Sequence, residues 1–534
     1  MSERYRLALL CALCCLAYGN TLANGFALDD GLYIARNSAV THFSIPAVFQ
    51  ANKDANVFRP VTFATLALNW ALGNTHPWGY HLVNLLLHAL VAALLYLLLR
   101  KLFEGHGQSA WVALVAALLF AVHPIHTDAV ASIVGRSELL AAGFVLAAWL
   151  LHLNDRPILS LLSFVAAVLS KESALVFVPL VLLGDYAREK YKSVLRYGCI
   201  VAVGLAYVAV LWAIQGGRFG QKQVPFTENP LAYLPAGMRI LNALRVAWKY
   251  VGLQFYPFTL SCDYSFNSIP IYATWSHTAL AAAAALAVMV VSVWALWTKR
   301  SQWSFAAGIY MTAFAVTANI LIPTGTIMGE RLAYLPSAGF CLFAALLLAR
   351  MEQRLHRMAW CVLALVLVLL TARTIIRNRD WRDNFTLFQA AERAVPANAS
   401  IHDGLAGEYQ RRGNWAEADL EIKTTIQIYP DFPEYLRLRG IPEADFRIVN
   451  LAVMSAKAGD IEDALAFLNL AIERCPQFSL AWSNRAVLRY QRGDITAARD
   501  DAQNALRIDP MNVQAQNLLL RLSTASPAPL GNHR

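Results

Sequence analysis

The sequence predicts an all-α protein: a polytopic membrane helical bundle of about eleven spans, followed by a helical-repeat solenoid on the outer face. Three observations predict it. Apolar residues make up 57% of the 534 and charged residues only 15%, which is too apolar for a soluble globule. Apolar runs close to the roughly 20 residues that cross a bilayer recur up to residue 376. Beyond Arg377 the composition turns polar and a repeat begins. The expected organisation is a membrane domain at 1–376, a linker at 377–398, repeats at 399–522 and a disordered tail at 523–534.

The spans are expected near 5–24, 80–101, 110–124, 138–153, 158–170, 174–187, 194–214, 274–298, 303–322, 334–350 and 358–375. The first has Arg4 and Arg6 ahead of it, as a signal peptide does. It ends in Tyr18-Gly19-Asn20 rather than a small-residue cleavage site, and more spans follow, so it reads as a retained helix. With the N-terminus inside, the inner loops carry Arg4/Arg6, Arg100/Lys101, Arg156, Arg188/Lys190/Lys192, Lys299/Arg300 and Arg350/Arg354/Arg357, as the positive-inside rule requires. An odd number of spans then places the C-terminal region in the periplasm or a lumen. The net charge of +10 is thereby explained by topology; there is no RNA-binding motif, and nucleic acid is not expected as a partner. Six of the eight cysteines fall in apolar segments; with only Cys262 and Cys475 outside, neither a disulfide framework nor a zinc spacing emerges.

The same topology gathers polar residues at the outer face. Asp29-Asp30, the stretch from His123 to Glu138, Lys171-Glu172, Cys262-Asp263-Tyr264 and Glu330-Arg331 come from different loops. A single such island is ordinarily a solvated loop end, whereas five at one face suggest a site. Two outer loops are long, about 25–79 and 215–273, and suit a lid or a lipid-facing groove. The first contains Arg59-Pro60, His76-Pro77-Trp78 and a stretch, Val61–Leu72, that can lie in the interface as an amphipathic helix. His81, Asn84 and His88 recur at i, i+3 and i+7 and should face the bundle interior, in carrier or helix–helix contact.

In the polar end, Ala406, Ala452 and Ala486 match; so do Gly413, Gly459 and Gly493, and Ala418, Ala464 and Ala498. Pro430, Pro476 and Pro510 close the units, and the last two are 34 residues apart, the tetratricopeptide (TPR) period. An insertion at about 431–442 separates the first two units. Stacked pairs of this kind form a concave groove that binds peptides or serves as a structural stack.

Several blocks carry a resemblance. FRPVTFATLALNWALG (58–73), HPWGYHLVNLLLHA (76–89), FAVHPIHTDAVASIVGRSELLA (120–141), SKESALVFVPLVLLGDY (170–186), TLSCDYSFNSIP (259–270), ERLAYLPSAGF (330–340) and RNRDWRDNFTLF (377–388) resemble the transmembrane and tetratricopeptide-repeat-containing family. That family lies within the GT-C superfamily of membrane glycosyltransferases. The resemblance covers nearly the whole chain and implies transfer of a sugar, typically mannose, from a polyprenyl-phosphate carrier to Ser or Thr hydroxyls of outer-face proteins, with inversion. The carrier and an acceptor protein, held in the repeat groove, are then the expected partners, with no cofactor and no divalent metal.

Such a transfer needs a base, cations for the departing phosphate and an apolar groove for the lipid. The resemblance places an acid in the first outer loop, where Asp29 and Asp30 stand. Asp29 is taken as the base with Asp30 positioning the acceptor, and the reverse assignment stands beside it, since partial burial raises a carboxylate toward working pH; Asp30 ahead of Gly31-Leu32-Tyr33 also suits an N-cap. For the phosphate, Arg331 oriented by Glu330 comes first, then Lys171 paired with Glu172, and Arg136. Each reads equally as a snorkelling cation. Arg59, Glu138 and His81 complete the expected substrate-side set. His123-Pro124-Ile125-His126 with Asp128 lacks the HExxH zinc pattern and reads as pocket-shaping. Asp263 has a substrate-side or a turn-forming role. Asn384-Phe385-Thr386 and Asn398-Ala399-Ser400 are sequons on the outer side.

Other readings compete with this one. A GT-C enzyme could instead modify a lipid or envelope glycan. A non-catalytic scaffold would tolerate loss of Asp29 and Asp30. A transporter would need midplane polar residues and a repeat between its halves, neither of which the sequence has.

Overall fold

The computed structural model describes residues 2–42, 44–50, 58–105, 107–214, 224, 228–271, seven helical residues between 286 and 298, 301–320, 323–428, 448–449, 452–457 and 459–524. Outside them lie most of the expected span at 274–298 with Lys299/Arg300, part of the loop 215–273, the insertion 431–442 with Pro430, and the tail from 525. Among the described residues the chain is helical and contains no strand. It divides into two compact units, Met1–Pro396 and Ala397–Arg534.

The first unit contains α1 (Glu3–Tyr18), α2 (Pro60–Gly73), α3 (Pro77–Leu102), α4 (Ser109–Val122), α5 (Arg136–Leu153), α6 (Pro157–Val168), α7 (Phe177–Arg188), α8 (Val194–Ile214), α9 (Ala236–Phe255), α10 (Gln302–Phe314), α11 (Ser337–Glu352), α12 (His356–Asp380) and α13 (Asn384–Ala394). Five segments are long and apolar enough to cross a membrane: α1 continued to Ala23, α3, α5, α8 and α12. A sixth is added if α4 and the bent continuation Pro124–Val130 count as one. The described residues therefore do not reach eleven. Several expected spans are shorter helices: α6 and α7 have 12 residues each, about 18 Å of rise against a core near 30 Å.

Two helices are central. α3 buries Leu85, Ala92, Leu95, Tyr96 and Leu99, and α5 buries Leu139, Val145, Ala148 and Trp149. The others pack around them, and their outward faces are apolar, as at Leu162, Leu205 and Val368. Lipid is the solvent that such a surface suits. Close packing depends on small residues: a Cβ on Gly184 would meet the Trp149 ring at 2.7 Å, and one on Gly339 would meet Ala306 O at 2.5 Å. The expected interfacial segment 61–72 forms α2, with Phe63 and Leu66 buried and Leu68 and Leu72 exposed.

The segment expected as a linker, 377–398, is instead largely helical and tied to the first loop. Asn24 Nδ2 donates to Asn378 O at 2.9 Å, Gly25 N to Arg382 O at 2.9 Å, and Leu28 N to Asn384 Oδ1 at 2.6 Å. Asp383 and Thr386 form a reciprocal capping box at the start of α13. That pairing of side chain and backbone is why a polar stretch folds here.

The second unit contains α14 (Ala399–Arg411), α15 (Trp415–Ile428), α16 (Ile461–Arg474), α17 (Ser479–Gln491), α18 (Ile495–Ile508) and α19 (Val513–Thr524). All six repeat alanines are buried, at 2% exposure or less. The three repeat glycines turn between paired helices with φ of 77°, 94° and 86°, the left-handed region that favours Gly. The repeat spacing thus marks where helices touch and where the chain reverses. Asn398 is wholly buried and its side chain caps α14, so this sequon asparagine is not exposed for modification.

Candidate active site

The five polar islands are joined pairwise by hydrogen bonds. Asp30 lies in the turn after α1 and is buried. Its Oδ2 accepts from Ala27 N and its Oδ1 from Val134 N, both at 3.0 Å. It caps no helix with its side chain; it ties the first loop to the turn ahead of α5. Burial pushes its carboxyl up to about 7, against the two backbone hydrogen bonds.

Asp29 is placed differently. Its side chain is half-buried and takes no hydrogen bond from the described residues. Burial raises its pKa, Arg331 opposes that rise, and Asp128 and Asp263 add to it. Of the two neighbours, Asp29 is therefore the one whose carboxylate is not taken up by hydrogen bonds among the described residues.

Arg331 stands in the turn Glu330–Ala333 between α10 and α11. Its backbone N donates to Asp128 Oδ2 at 2.9 Å, and its Nη1 lies 3.6 Å from Asp128 Oδ1. Asp128 is 1% exposed, while the Arg331 side chain is 33% exposed. A buried carboxylate thus holds both the backbone and the guanidinium of a cation whose side chain is partly exposed. Asp128, with Asp29 further off, keeps the guanidinium firmly charged by raising its pKa.

Glu330 does not orient Arg331, contrary to expectation. Its Oε1 accepts from Ser261 N at 2.6 Å and from Tyr264 Oη at 2.7 Å. Burial raises it to about 7, against the field of Arg377. Its Oε2 is buried without a partner among the described residues. In a tight helical turn, successive side chains leave in directions about 120° apart, which sends Glu330 inward and Arg331 outward.

Lys171 does not pair with Glu172. Lys171 Nζ donates to Glu138 Oε1, and both side chains are nearly buried. Glu172 instead takes Arg59 in two contacts, Nε to Oε2 at 3.1 Å and Nη2 to Oε1 at 2.6 Å. Burial would raise Glu172, but Arg59 pulls it down to about 2. Burial lowers Lys171, with Glu138 opposing. Lys171 has an extended backbone, φ −161° and ψ 142°, so it and its neighbour project to opposite sides.

The remaining expected residues are mostly engaged within the fold. Arg136 is wholly buried and donates to Asn84 Oδ1, Thr65 O and Tyr80 O at 2.9–3.1 Å. It joins α2, α3 and α5 instead of presenting a cation to ligand. His81 Nε2 lies 3.3 Å from Gly25 O. His81, Asn84 and His88 all face the interior, with His88 bonded to Tyr334 Oη at 2.8 Å. His123 contacts Gln254 O and accepts from Ile125 N; His126 contacts Phe120 O and Ser337 Oγ. Both rings are buried and neither keeps a free nitrogen for a metal. Asp263 accepts from Ser265 N and Ser265 Oγ in a local turn, yet lies close enough to act on both Asp29 and Arg331.

Three residues not anticipated belong to this cluster. Tyr33 is half-buried among Asp29, Arg59, Arg331 and Glu172. It is four residues past Asp29, and its N donates to Asp29 O; that helical spacing was the available signal. Lys249 of α9 sits 5.0 Å above the Tyr264 ring. Tyr250 Oη both donates to Gly329 O and accepts from Gly329 N, each at 2.9 Å, clamping the residue before Glu330. In the second unit, Asp419, Asp460 and Asp463 gather around Lys423, which already supplies their cation.

No protein-family model matches the chain. It is 29% identical over 447 residues to Protein O-mannosyl-transferase F38B6.6 of Caenorhabditis elegans, covering 80% of this chain and 63% of that protein. It is 27% identical to Protein O-mannosyl-transferase TMTC3 of Homo sapiens, covering 80% and 51%, and 27% identical to TMTC1 of Homo sapiens, covering 79% and 55%. The chain thus spans between half and two-thirds of the length of the curated relatives it matches. Among solved structures, the Archaeoglobus fulgidus oligosaccharyltransferase in its apo form aligns at 12% identity with a TM-score of 0.36, over 71% of this chain and 56% of that one.

Proposed function

We propose that the protein is a membrane glycosyltransferase that moves a sugar, mannose in the first instance, from a polyprenyl phosphate to Ser or Thr hydroxyls of proteins on the outer face of an inner or endoplasmic reticulum membrane. One observation carries the reading: a partly exposed carboxylate, Asp29, within the field of a partly exposed arginine, Arg331. Both occupy one end of an apolar bundle, in a chain similar to proteins named O-mannosyl-transferases.

In this reading Asp29 takes the proton of the acceptor hydroxyl as its oxygen attacks the anomeric carbon. The bond from that carbon to the phosphate oxygen breaks, and the polyprenyl phosphate leaves with the electron pair. Attack opposite the leaving group inverts the centre. Arg331 meets the developing phosphate charge, and Asp128 holds Arg331 in place. Asp30 positions the first loop against the turn ahead of α5. The repeats of the second unit recruit the acceptor.

The test uses purified full-length protein, a mannosyl polyprenyl phosphate and an acceptor protein, with product read by mass spectrometry. Transfer by wild type and its loss in Asp29→Asn support the reading. Absence of transfer in wild type under any lipid-linked donor, or full transfer by Asp29→Asn, overturns it.

A further inference from the structure

A groove of about 460 Å³ opens between the segment after α1, the last turn of α12 and α13, all within the first unit. That volume lies in the range of roughly 300–1,000 Å³ that ligand sites occupy. Three arginines line it, Arg379, Arg382 and Arg393, against one carboxylate, Asp380. Asp380 is already met by Arg377 at 3.0 Å. Arg382 reaches Asp383 only at 3.4 Å. The side chains of Arg379 and Arg393 are exposed and have no hydrogen bond or ion pair among the described residues. The groove therefore carries uncompensated positive charge. With the Asp29 end facing outward, the positive-inside rule gives no reason for arginines here.

Two primary amides line the same groove. Asn24 is 6% exposed; its Nδ2 donates to Asn378 O at 2.9 Å, and its Oδ1 takes no hydrogen bond among the described residues. Gln389 has no side-chain hydrogen bond among them either. It shares one face of α13 with Thr386 and Arg393, at i, i+3 and i+7. Guanidinium groups take carboxylates in paired hydrogen bonds. Asn24 Oδ1 calls for a donor, which a peptide N–H supplies and a lipid phosphate does not. Asn24 is five residues before Asp29, so the groove begins no more than about 18 Å from that residue, the length of five extended residues.

We propose that this groove holds an acidic stretch of the acceptor protein, with its carboxylates on Arg379 and Arg393 and its backbone on Asn24 and Gln389. The inference rests on the transferase reading and deepens it: the preferred acceptor hydroxyls have Asp or Glu about four to six residues away.

The probes are two fluorescent peptides that each carry one Ser, one with a run of Asp about five residues from it and one with Asn in place of every Asp. They are titrated onto the full chain in detergent without any sugar donor. The Asp peptide should bind at least tenfold tighter, and raising the salt should shrink the difference. Arg379→Gln with Arg393→Gln should abolish the preference, and Arg379→Glu with Arg393→Glu should pass it to a Lys peptide, each at an unchanged melting temperature. Equal binding of the Asp and Asn peptides by wild type overturns the assignment even if the variants misfold, as does a preference that survives in well-folded variants. If short-chain phosphatidylglycerol binds wild type at least tenfold tighter than the Gln variant and the Asp peptide does not, the groove is a lipid-headgroup site and the assignment falls. If the groove selects the Asp peptide but wild type transfers no sugar, the groove stands as an acidic-peptide site and the transferase reading falls. If sugar passes equally to both peptides, the groove falls and the reading stands.

Discussion

At the end of the bundle that carries Asp29, most charged side chains are enclosed: Lys171 and Glu138 are 6% and 9% exposed, and Asp128, Arg136 and Glu330 are almost fully buried, while Glu172, paired with Arg59, is 45% exposed. At the opposite end Arg100 meets Glu3 and Lys101 meets Glu104 with side chains 32–65% exposed. The pairs at the two ends look alike as a list of ions and differ in what they cost. An exposed pair contributes about 0–1 kcal/mol, whereas a buried one carries a desolvation cost of several kcal/mol per ion that only good geometry offsets. A bundle has no need to enclose this many charges for stability alone. Their concentration at one end marks that end as the candidate site. The opposite end does hold one enclosed group, His152 against Asp185 at 2.7 Å with Tyr197 Oη on the same carboxylate. Burial by itself is thus no sign of chemistry; the Asp29 end adds partly exposed groups of both signs, Asp29 and Arg331, within each other's field.

The comparison breaks most directly at Asp29. Asp29→Asn should lower kcat/KM for sugar transfer by about 100-fold or more, the scale of a lost general base, with the melting temperature unchanged. Asp30→Asn should do the reverse in kind, lowering the melting temperature because one of two buried backbone donors loses its carboxylate partner. Thermal melts and initial rates on the same preparations separate the two. Next in size is the enclosed pair. Lys171→Met should destabilise the first unit by about 3–5 kcal/mol by leaving Glu138 buried and alone, and Glu138→Leu added to it should recover most of the loss. If the single variant melts like wild type, the enclosed end is no different from the exposed one.

A smaller effect concerns pH. Asp30 and Glu330 have folded values near 7 against ordinary values of 3.8 and 4.5. Between those limits the folded protein keeps protons that the unfolded chain has released, so stability should fall as pH rises from about 4 to about 7. Glu172, held at about 2, acts in the other sense: its contribution is present above the ordinary carboxylate range and is lost as pH drops toward 2. Melting temperature against pH should therefore decline through the mildly acidic range, and Asp30→Asn should flatten that decline. Smallest of all, Lys101→Ala at the exposed end should change stability by less than about 1 kcal/mol and leave transfer unchanged.

The sequence by itself determined what depends on spacing and on solvent preference. Alanines and glycines at matching positions of three units, the last two 34 residues apart, mark helix contacts and left-handed turns, and the structure places all six alanines in the interior. Apolar length was legible as membrane helices, and the polar faces of loops as islands at one end. The i, i+3, i+7 run of His81, Asn84 and His88 was legible as an inward face for the same reason: periodicity fixes direction within one helix. Tertiary structure alone decided which charges meet. Lys171 chooses Glu138 over its neighbour because an extended backbone turns adjacent side chains apart. Arg331 is held by Asp128, 203 residues away, while Glu330 turns inward to Tyr264. Asp29 and Asp30 are the same residue type one bond apart in sequence. The backbone of the loop aims one carboxylate at two buried N–H groups and leaves the other beside Arg331. Neighbours in sequence share composition but not direction, and direction settles which of them is taken up by backbone hydrogen bonds and which lies in the field of Arg331.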